Sequence, residues 1–175
     1  MIKRFSLCLV FLPFVSVASP QQFKNVATLM SEYNDYSPDI GAFKVLSEEP
    51  LKIQISPKVM KGENDESIKM ASYKASVYAA YRTLLQTPAK SVSITVVPLS
   101  FDLSKHEKSY LTGQKLSFSL TKEQALKIAG RAGGTNSPDK IIGSDGYEWT
   151  DSFNSCCYLE AGNPGLEKFV KDLIK

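Results

Sequence analysis

The feature that most constrains the fold is a long amphipathic segment at residues 66–86. Its apolar side chains recur at intervals of three and four residues, which is the spacing of one face of an α-helix. The stripe is wide, as is typical of a helix that packs along a sheet. We expect Asn64 or Asp65 to cap its start and Thr87-Pro88 to end it, because proline cannot continue a helix. The opposite, polar face is expected to comprise Lys69, Ser72, Ser76 and Thr83.

Several stretches carry the pattern of strands that such a helix could cover. Residues 43–46 and 51–55 flank a short polar turn and together predict a hairpin. Residues 91–101 are rich in β-branched side chains and predict one continuous strand, which a charged loop at residues 102–112 would follow. Residues 116–120 alternate apolar and polar side chains, which indicates a strand with one face in water.

Shorter helices are predicted on either side of these strands. Residues 21–33 have helical spacing, and Thr121 begins a capping box that opens a helix through Ala132. Asn163-Pro164 is typical of a helix start with proline at the first helical position. The predicted fold class is therefore α+β: residues 19–175 form a single domain, with a small, mostly antiparallel sheet covered by the long central helix and a helical C-terminus.

The first eighteen residues are expected to be a cleaved export signal. A basic start precedes an apolar run, residues 5–17, which closes on Ser16, Val17 and Ala18. Small residues at these positions are what a signal peptidase recognises, so cleavage after residue 18 fits. The alternative, a transmembrane anchor, needs about 20 apolar residues, and this run is shorter and is interrupted by Pro13. The mature protein is therefore expected to be soluble and either periplasmic or secreted.

The charge balance limits the partners that the mature protein could have. The full chain has a net charge of +3, and removal of Lys3 and Arg4 with the signal leaves +1. Nucleic acids and anionic lipids attract proteins with a clustered basic excess, so nucleic acid is not expected as a partner. No second apolar run approaches membrane-spanning length, so no integral membrane segment is expected after cleavage.

Cys156 and Cys157 are adjacent and are the only cysteines left after cleavage. Neighbouring cysteines can bridge only by distorting the intervening peptide, and such strain makes a disulfide easier to reduce. The sequence leaves open a vicinal disulfide that acts as a redox or ligand gate, a disulfide-linked dimer, and burial of one sulfur with the other facing outward. The alternation of Phe153, Cys156 and Tyr158 favours burial of one sulfur as a small apolar group.

Residues 147–153 hold the only tryptophan of the chain among turn-forming residues. Tyr147, Trp149 and Phe153 are candidate partner-binding residues, because aromatic side chains bury a large area at low cost in conformational entropy. The alternative is that the same segment forms a lid over the core.

No catalytic motif, metal-ligand cluster or cofactor-binding loop is recognisable, so no catalytic residue, metal or cofactor is assigned. We expect a non-enzymatic protein-binding module of the bacterial envelope, whose partner is another envelope or secreted protein. It would be an inhibitor or immunity-type protein, or an accessory subunit of a secretion or conjugation system. The alternative is a small envelope hydrolase, or a thiol-dependent enzyme that uses Cys156 or Cys157 with His106, the single histidine.

Overall fold

The computed structural model describes residues 20–175, so the expected export signal and its cleavage site lie outside the described residues. The helices are α1 (Val26–Tyr33), α2 (Asp65–Gln86), α3 (Lys122–Gly133), α4 (Asp151–Phe153) and α5 (Leu166–Leu173). The strands are β1 (Phe43–Ser47), β2 (Lys52–Ile55), β3 (Lys58–Met60), β4 (Ser91–Val96), β5 (Leu99–Asp102), β6 (Glu107–Tyr110) and β7 (Leu116–Thr121). Short 3₁₀ turns lie at Pro38–Ile40, Thr112–Gln114 and Pro138–Lys140, and a π-helical turn at Asn154–Tyr158 follows α4 directly.

A four-stranded mixed sheet, in the order β1-β2-β4-β7, forms the base of the fold. Its outer pairings are antiparallel, whereas β2 and β4 are parallel because α2 connects them as a crossover. The buried side chains of Ile53, Ile94 and Phe118 are neighbours in the register of the three strands β2, β4 and β7. As the sequence predicts, α2 lies across these strands, while α1 packs against β1 and α3 against β7.

The α+β class, the long central helix and the helical C-terminus are confirmed, with two small mixed sheets in place of one. Three of the five strand pairings among the described residues are antiparallel. None of the helices within residues 20–175 is both long and apolar enough to cross a membrane.

The prediction of a polar, solvent-facing side of α2 is wrong for three of its four residues. Ser72, Ser76 and Thr83 are buried, because α1, α3 and α5 also pack against α2 and, together with the sheet, surround it. Two of these hydroxyl groups bond within the helix instead of to water. Ser72 Oγ donates to the Ile68 carbonyl at 2.8 Å, and Ser76 Oγ donates to the Ser72 carbonyl at 2.8 Å.

Two prolines separate the strands of the first sheet from those of a second sheet. Pro57 lies between β2 and β3, and Pro98 lies between β4 and β5. Neither proline has an N–H group to donate to a neighbouring strand. Parallel pairing resumes beyond them, where the Leu99 N–H donates to the Pro57 carbonyl at 2.9 Å. The continuous strand expected at residues 91–101 is therefore two strands, and β3, β5 and β6 form a second sheet.

Two further expectations about the chain path are wrong. The segment expected as a charged loop at residues 102–112 contains β6, which pairs with β5, and His106 lies in the turn between them. The last helix begins at Leu166 rather than at Pro164. Gly165 precedes it with a φ of 86°, a left-handed conformation that glycine adopts readily, so Asn163-Pro164 belongs to the turn before α5.

A Val77→Asp change should prevent folding. Val77 is fully buried on α2, and an unpaired carboxylate there costs several kcal/mol or more, which is comparable to the whole stability of a typical domain. Circular dichroism during urea unfolding should show no cooperative transition. Ser67→Asp, at an exposed position in the first turn of the same helix, is the matched control and should unfold like the wild type. Wild-type stability in Val77→Asp would contradict the packing of α2.

Candidate functional site

A closed surface loop at residues 142–149, named here the braced loop, carries two of the three aromatic residues that the sequence singles out. Ile142 and Trp149 form an antiparallel bridge at its base. Inside that bridge, the Gly143 N–H donates to the Glu148 carbonyl at 2.8 Å. These backbone contacts join the two ends of the loop to each other.

Asp145 orders the tip of the braced loop. Its Oδ1 accepts the N–H groups of Tyr147 at 2.9 Å and Glu148 at 3.2 Å. These backbone hydrogen bonds, with a smaller contribution from the Arg82 charge, hold the pKa of Asp145 below its ordinary value. Because the pKa is lowered on folding, the interaction stabilises the loop at neutral pH and is lost as the pH falls through the folded-state pKa. Gly146 completes the turn with a φ of 75°, which a side chain would disfavour.

Three side chains beneath the braced loop converge on a single carbonyl oxygen. The Gly146 carbonyl accepts hydrogen bonds from Tyr33 Oη, Arg82 Nη1 and Gln86 Nε2, at 2.6, 2.7 and 2.8 Å. Arg82 also donates through Nη2 to the Tyr147 carbonyl, so its planar guanidinium group contacts two consecutive carbonyls. Charge-assisted hydrogen bonds are stronger than neutral ones. The backbone of the loop is therefore fixed to the C-terminal half of α2.

Arg82 is a buried cation whose charge is compensated by dipoles and aromatic rings. It is 4% exposed and forms no ion pair within residues 20–175. Its guanidinium carbon lies 4.4 Å from the ring centroid of Trp149, 4.9 Å from that of Tyr33 and 5.6 Å from that of Tyr78. The negative faces of these rings attract the cation. Together with the two carbonyls, they offset a desolvation penalty of several kcal/mol.

The three candidate partner-binding residues occupy different environments. Tyr147 is 49% exposed at the tip of the braced loop, and its ring packs edge-on against Tyr33 with 5.1 Å between centroids. Trp149 is half-buried over Arg82, and Phe153 is fully buried. Tyr147 is thus the member that offers a large surface to a partner. Trp149 and Phe153 have the positions that the alternative interpretation, a lid over the core, requires.

Cys156 and Cys157 form a vicinal disulfide in the π-helical turn. The sequence favours one buried and one outward-facing sulfur, whereas the structure joins the two. A disulfide-linked dimer through either residue would therefore require this bond to open first. The two residues differ in burial: Cys156 is 8% exposed, and Cys157 is completely covered.

Glycines allow the neighbouring backbone to approach the disulfide closely. A Cβ atom at Gly133, the last residue of α3, would lie 2.6 Å from Cys156 Sγ. A Cβ atom at Gly162 would lie 2.4 Å from the Ser155 carbonyl oxygen. The Gly165 N–H donates to the Cys156 carbonyl at 2.9 Å and closes the turn. The disulfide is therefore held between the end of α3 and the turn that leads into α5.

The fold places His106 and the cysteines on different elements. His106 is exposed in the β5–β6 turn of the second sheet, whereas the π-helical turn packs against α3, α4 and α5. A catalytic pair needs its two side chains within hydrogen-bond reach, so this placement gives no support to the thiol-dependent enzyme. Within residues 20–175, no three His, Cys, Asp or Glu side chains are grouped so that they could hold a metal ion.

Sequence reasoning missed the residues that hold this site together. Arg82 and Gln86 lie one turn apart near the end of α2, and Arg82 Nη1 donates to Gln86 Oε1 at 3.0 Å. A cation and an amide spaced in this way in the mostly apolar C-terminal half of α2 are a signal that could have identified them. Gly133 carries a weaker signal, because glycine is common at the end of any helix.

No family model matches the chain, and neither the curated proteins nor the solved structures contain a match.

A Gly133→Ala change should destabilise the protein by about 1–3 kcal/mol, because the added methyl group would overlap Cys156 Sγ. With both cysteines replaced by alanine, the overlapping sulfur is absent and only the Cβ atom of residue 156 remains close, at 3.0 Å. The same change should then cost clearly less, because the closest overlap is gone and alanine is the better helix former. Urea unfolding of the four proteins in this double-mutant cycle measures the coupling. An equal cost in both backgrounds would show that the contact does not matter.

Proposed function

We propose that this protein is an exported, non-enzymatic binding module of the bacterial envelope, and that it recognises another envelope or secreted protein through the braced loop. The observation that carries the proposal is the fixation of the loop backbone by Tyr33, Arg82 and Gln86 around an exposed tyrosine. The export signal expected from residues 1–18 supports the compartment.

The first argument for partner recognition is that the backbone of the braced loop is held rigidly. A mobile loop pays a conformational-entropy cost when a partner orders it, and a loop ordered in advance avoids that cost. Asp145 and Arg82 order the braced loop from its two sides, the first from the tip and the second from the core. Three of these hydrogen bonds meet at the buried carbonyl of Gly146, the residue next to Tyr147, so the exposed tyrosine is presented from a fixed backbone.

The chemistry of the exposed surface is the second argument. Tyr147 is a large aromatic side chain with a polar end, which is typical of the residues that contribute most to binding at protein interfaces. Asp145 and Glu148 are exposed on either side of it. A complementary partner would present an apolar pocket for the ring and basic groups at the rim of that pocket.

This geometry fits two kinds of role. An inhibitor or immunity-type protein would insert Tyr147 into a cleft of its target. An accessory subunit of a secretion or conjugation system would use the same loop to dock on a larger assembly. Both roles require an interface centred on Tyr147, so a single experiment tests what they share.

A Tyr147→Ala change should weaken binding of the partner at least about tenfold, because it removes an exposed anchor and leaves the backbone bonds of the loop in place. It also removes the edge-on contact with Tyr33, so stability should fall by about 0.5–1.5 kcal/mol and the variant should remain folded. The wild type and the variant are immobilised and exposed to envelope extract of the native host. Retained proteins are identified by mass spectrometry, and their affinities are then measured by titration.

Leu103→Ala is the matched control, since Leu103 is an exposed apolar residue, 68% accessible, that lies beyond β5 in the second sheet. It should retain the partner as well as the wild type does. Equal retention by Tyr147→Ala, or loss of binding in both variants, would contradict recognition through the braced loop.

A further inference from the structure

The two residues of the vicinal disulfide differ in their exposure to solvent. An open depression of about 480 Å³ adjoins the π-helical turn and is lined by Gly133, Asp151, Ser152, Ser155, Cys156 and Asn163. Cys156 contributes to this lining and keeps an exposed fraction of 8%, whereas Cys157 is completely covered. An approaching molecule therefore reaches the disulfide at Cys156.

The absence of a side chain at Gly133 keeps this approach open. Gly133 is itself exposed, and a Cβ atom there would lie 2.6 Å from Cys156 Sγ. The π-helical turn packs against α3, α4 and α5, and Cys157 is completely covered. Cys156, which lines the depression, is thus bordered there by the bare backbone of Gly133, whereas Cys157 belongs wholly to the core.

We propose that the Cys156–Cys157 disulfide is a thiol-exchange site, at which a dithiol reductant attacks Sγ of Cys156 from this depression. Thiol–disulfide exchange depends on which sulfur atom an incoming thiolate can reach. Because Cys156 is the more exposed residue, its Sγ is the atom that is attacked, and Cys157 Sγ is the leaving group. This site is separate from the braced loop and does not depend on the binding function proposed above.

The exchange proceeds in two displacement steps. The thiolate of the reductant forms a bond to Cys156 Sγ, while the Cys156–Cys157 bond breaks and its electron pair goes to Cys157 Sγ, which takes up a proton from solvent. In the mixed disulfide, one sulfur of the reductant is bonded to Cys156 Sγ. The second thiol of the reductant, as its thiolate, then attacks that first sulfur of the reductant. The bond to Cys156 breaks, and the released Cys156 thiolate is protonated. The protein disulfide becomes two thiols, and the dithiol becomes a disulfide.

The charge of Asp151 should affect how fast charged thiols react with the disulfide, and this effect tests whether they approach through the depression. Asp151 is an exposed carboxylate that lines the depression. It should attract a cationic thiol and repel an anionic one, by a few-fold in rate at low ionic strength because the site is open to solvent. Asp151→Asn should therefore lower the rate ratio of cysteamine to mercaptoethanesulfonate about two- to fivefold. Glu107→Gln, on β6 in the second sheet, is the matched control and should leave the ratio unchanged.

Peptide mapping of a trapped adduct identifies the sulfur that is attacked. The oxidised, folded protein is treated briefly with glutathione, quenched with acid, denatured and labelled with N-ethylmaleimide. The glutathione adduct should lie on Cys156, and the maleimide on Cys157, in at least about tenfold excess over the reverse arrangement. The same reaction in concentrated urea should distribute the adduct almost evenly, because burial no longer separates the two sulfurs.

Three results would overturn the proposal. They are an even distribution of the adduct in the folded protein, a disulfide that reacts only after unfolding, and two free thiols in the purified native protein. An unchanged rate ratio in Asp151→Asn would exclude the depression as the route of attack. A selective adduct on Cys156 together with the lowered ratio supports the exchange site, whether or not Tyr147 binds a partner.

Discussion

The arrangement of the braced loop depends on the hydrogen bonds and ring contacts of one buried group, the guanidinium group of Arg82. Its charge lies in the core without a carboxylate, and the chain supplies instead two carbonyls from the braced loop and three aromatic rings. A buried cation that loses such partners becomes strongly unfavourable, so the loop cannot leave without a large cost. The same contact thus solvates the charge and fixes the surface that we propose binds a partner.

The long helix α2 makes the contact between Arg82 and the braced loop possible, because it packs both on the sheet and beneath the loop. Along one side, α2 covers the four-stranded sheet, and its other sides receive α1, α3 and α5. Near its C-terminal end, Arg82 and Gln86 reach the braced loop, while Tyr81 donates to the Ala125 carbonyl of α3 at 2.8 Å. The disulfide turn packs on the same helices α3 and α5. The two proposed sites therefore share one rigid support although they use different residues.

Features set by local chemistry are predictable from this sequence, and features set by distant contacts are not. The cap at Asn64 and the capping box of Thr121 form as predicted, because each depends on residues a few positions apart. The second sheet was missed because β3 and β5 are short segments that directly follow Pro57 and Pro98, and because the charged segment β6 is a strand only when β5 lies beside it. At the site, the aromatic segment was predictable. The role of Arg82 was not, since its partner Gly146 lies 64 residues further along the chain.

Hydrogen exchange at individual amides tests most directly whether Arg82 fixes the braced loop. The N–H groups of Gly143 and Gly146 bond within the loop, so their exchange reports its opening, while the Ile94 amide in the sheet reports global unfolding. Arg82→Met removes the charge-assisted bonds and keeps much of the apolar stem. If Arg82 fixes the loop, both glycine amides exchange slowly in the wild type and at least about tenfold faster in the variant, beyond any change at Ile94. Rapid exchange of the loop amides in the wild type, or equal rates in the two proteins, would contradict this role of Arg82.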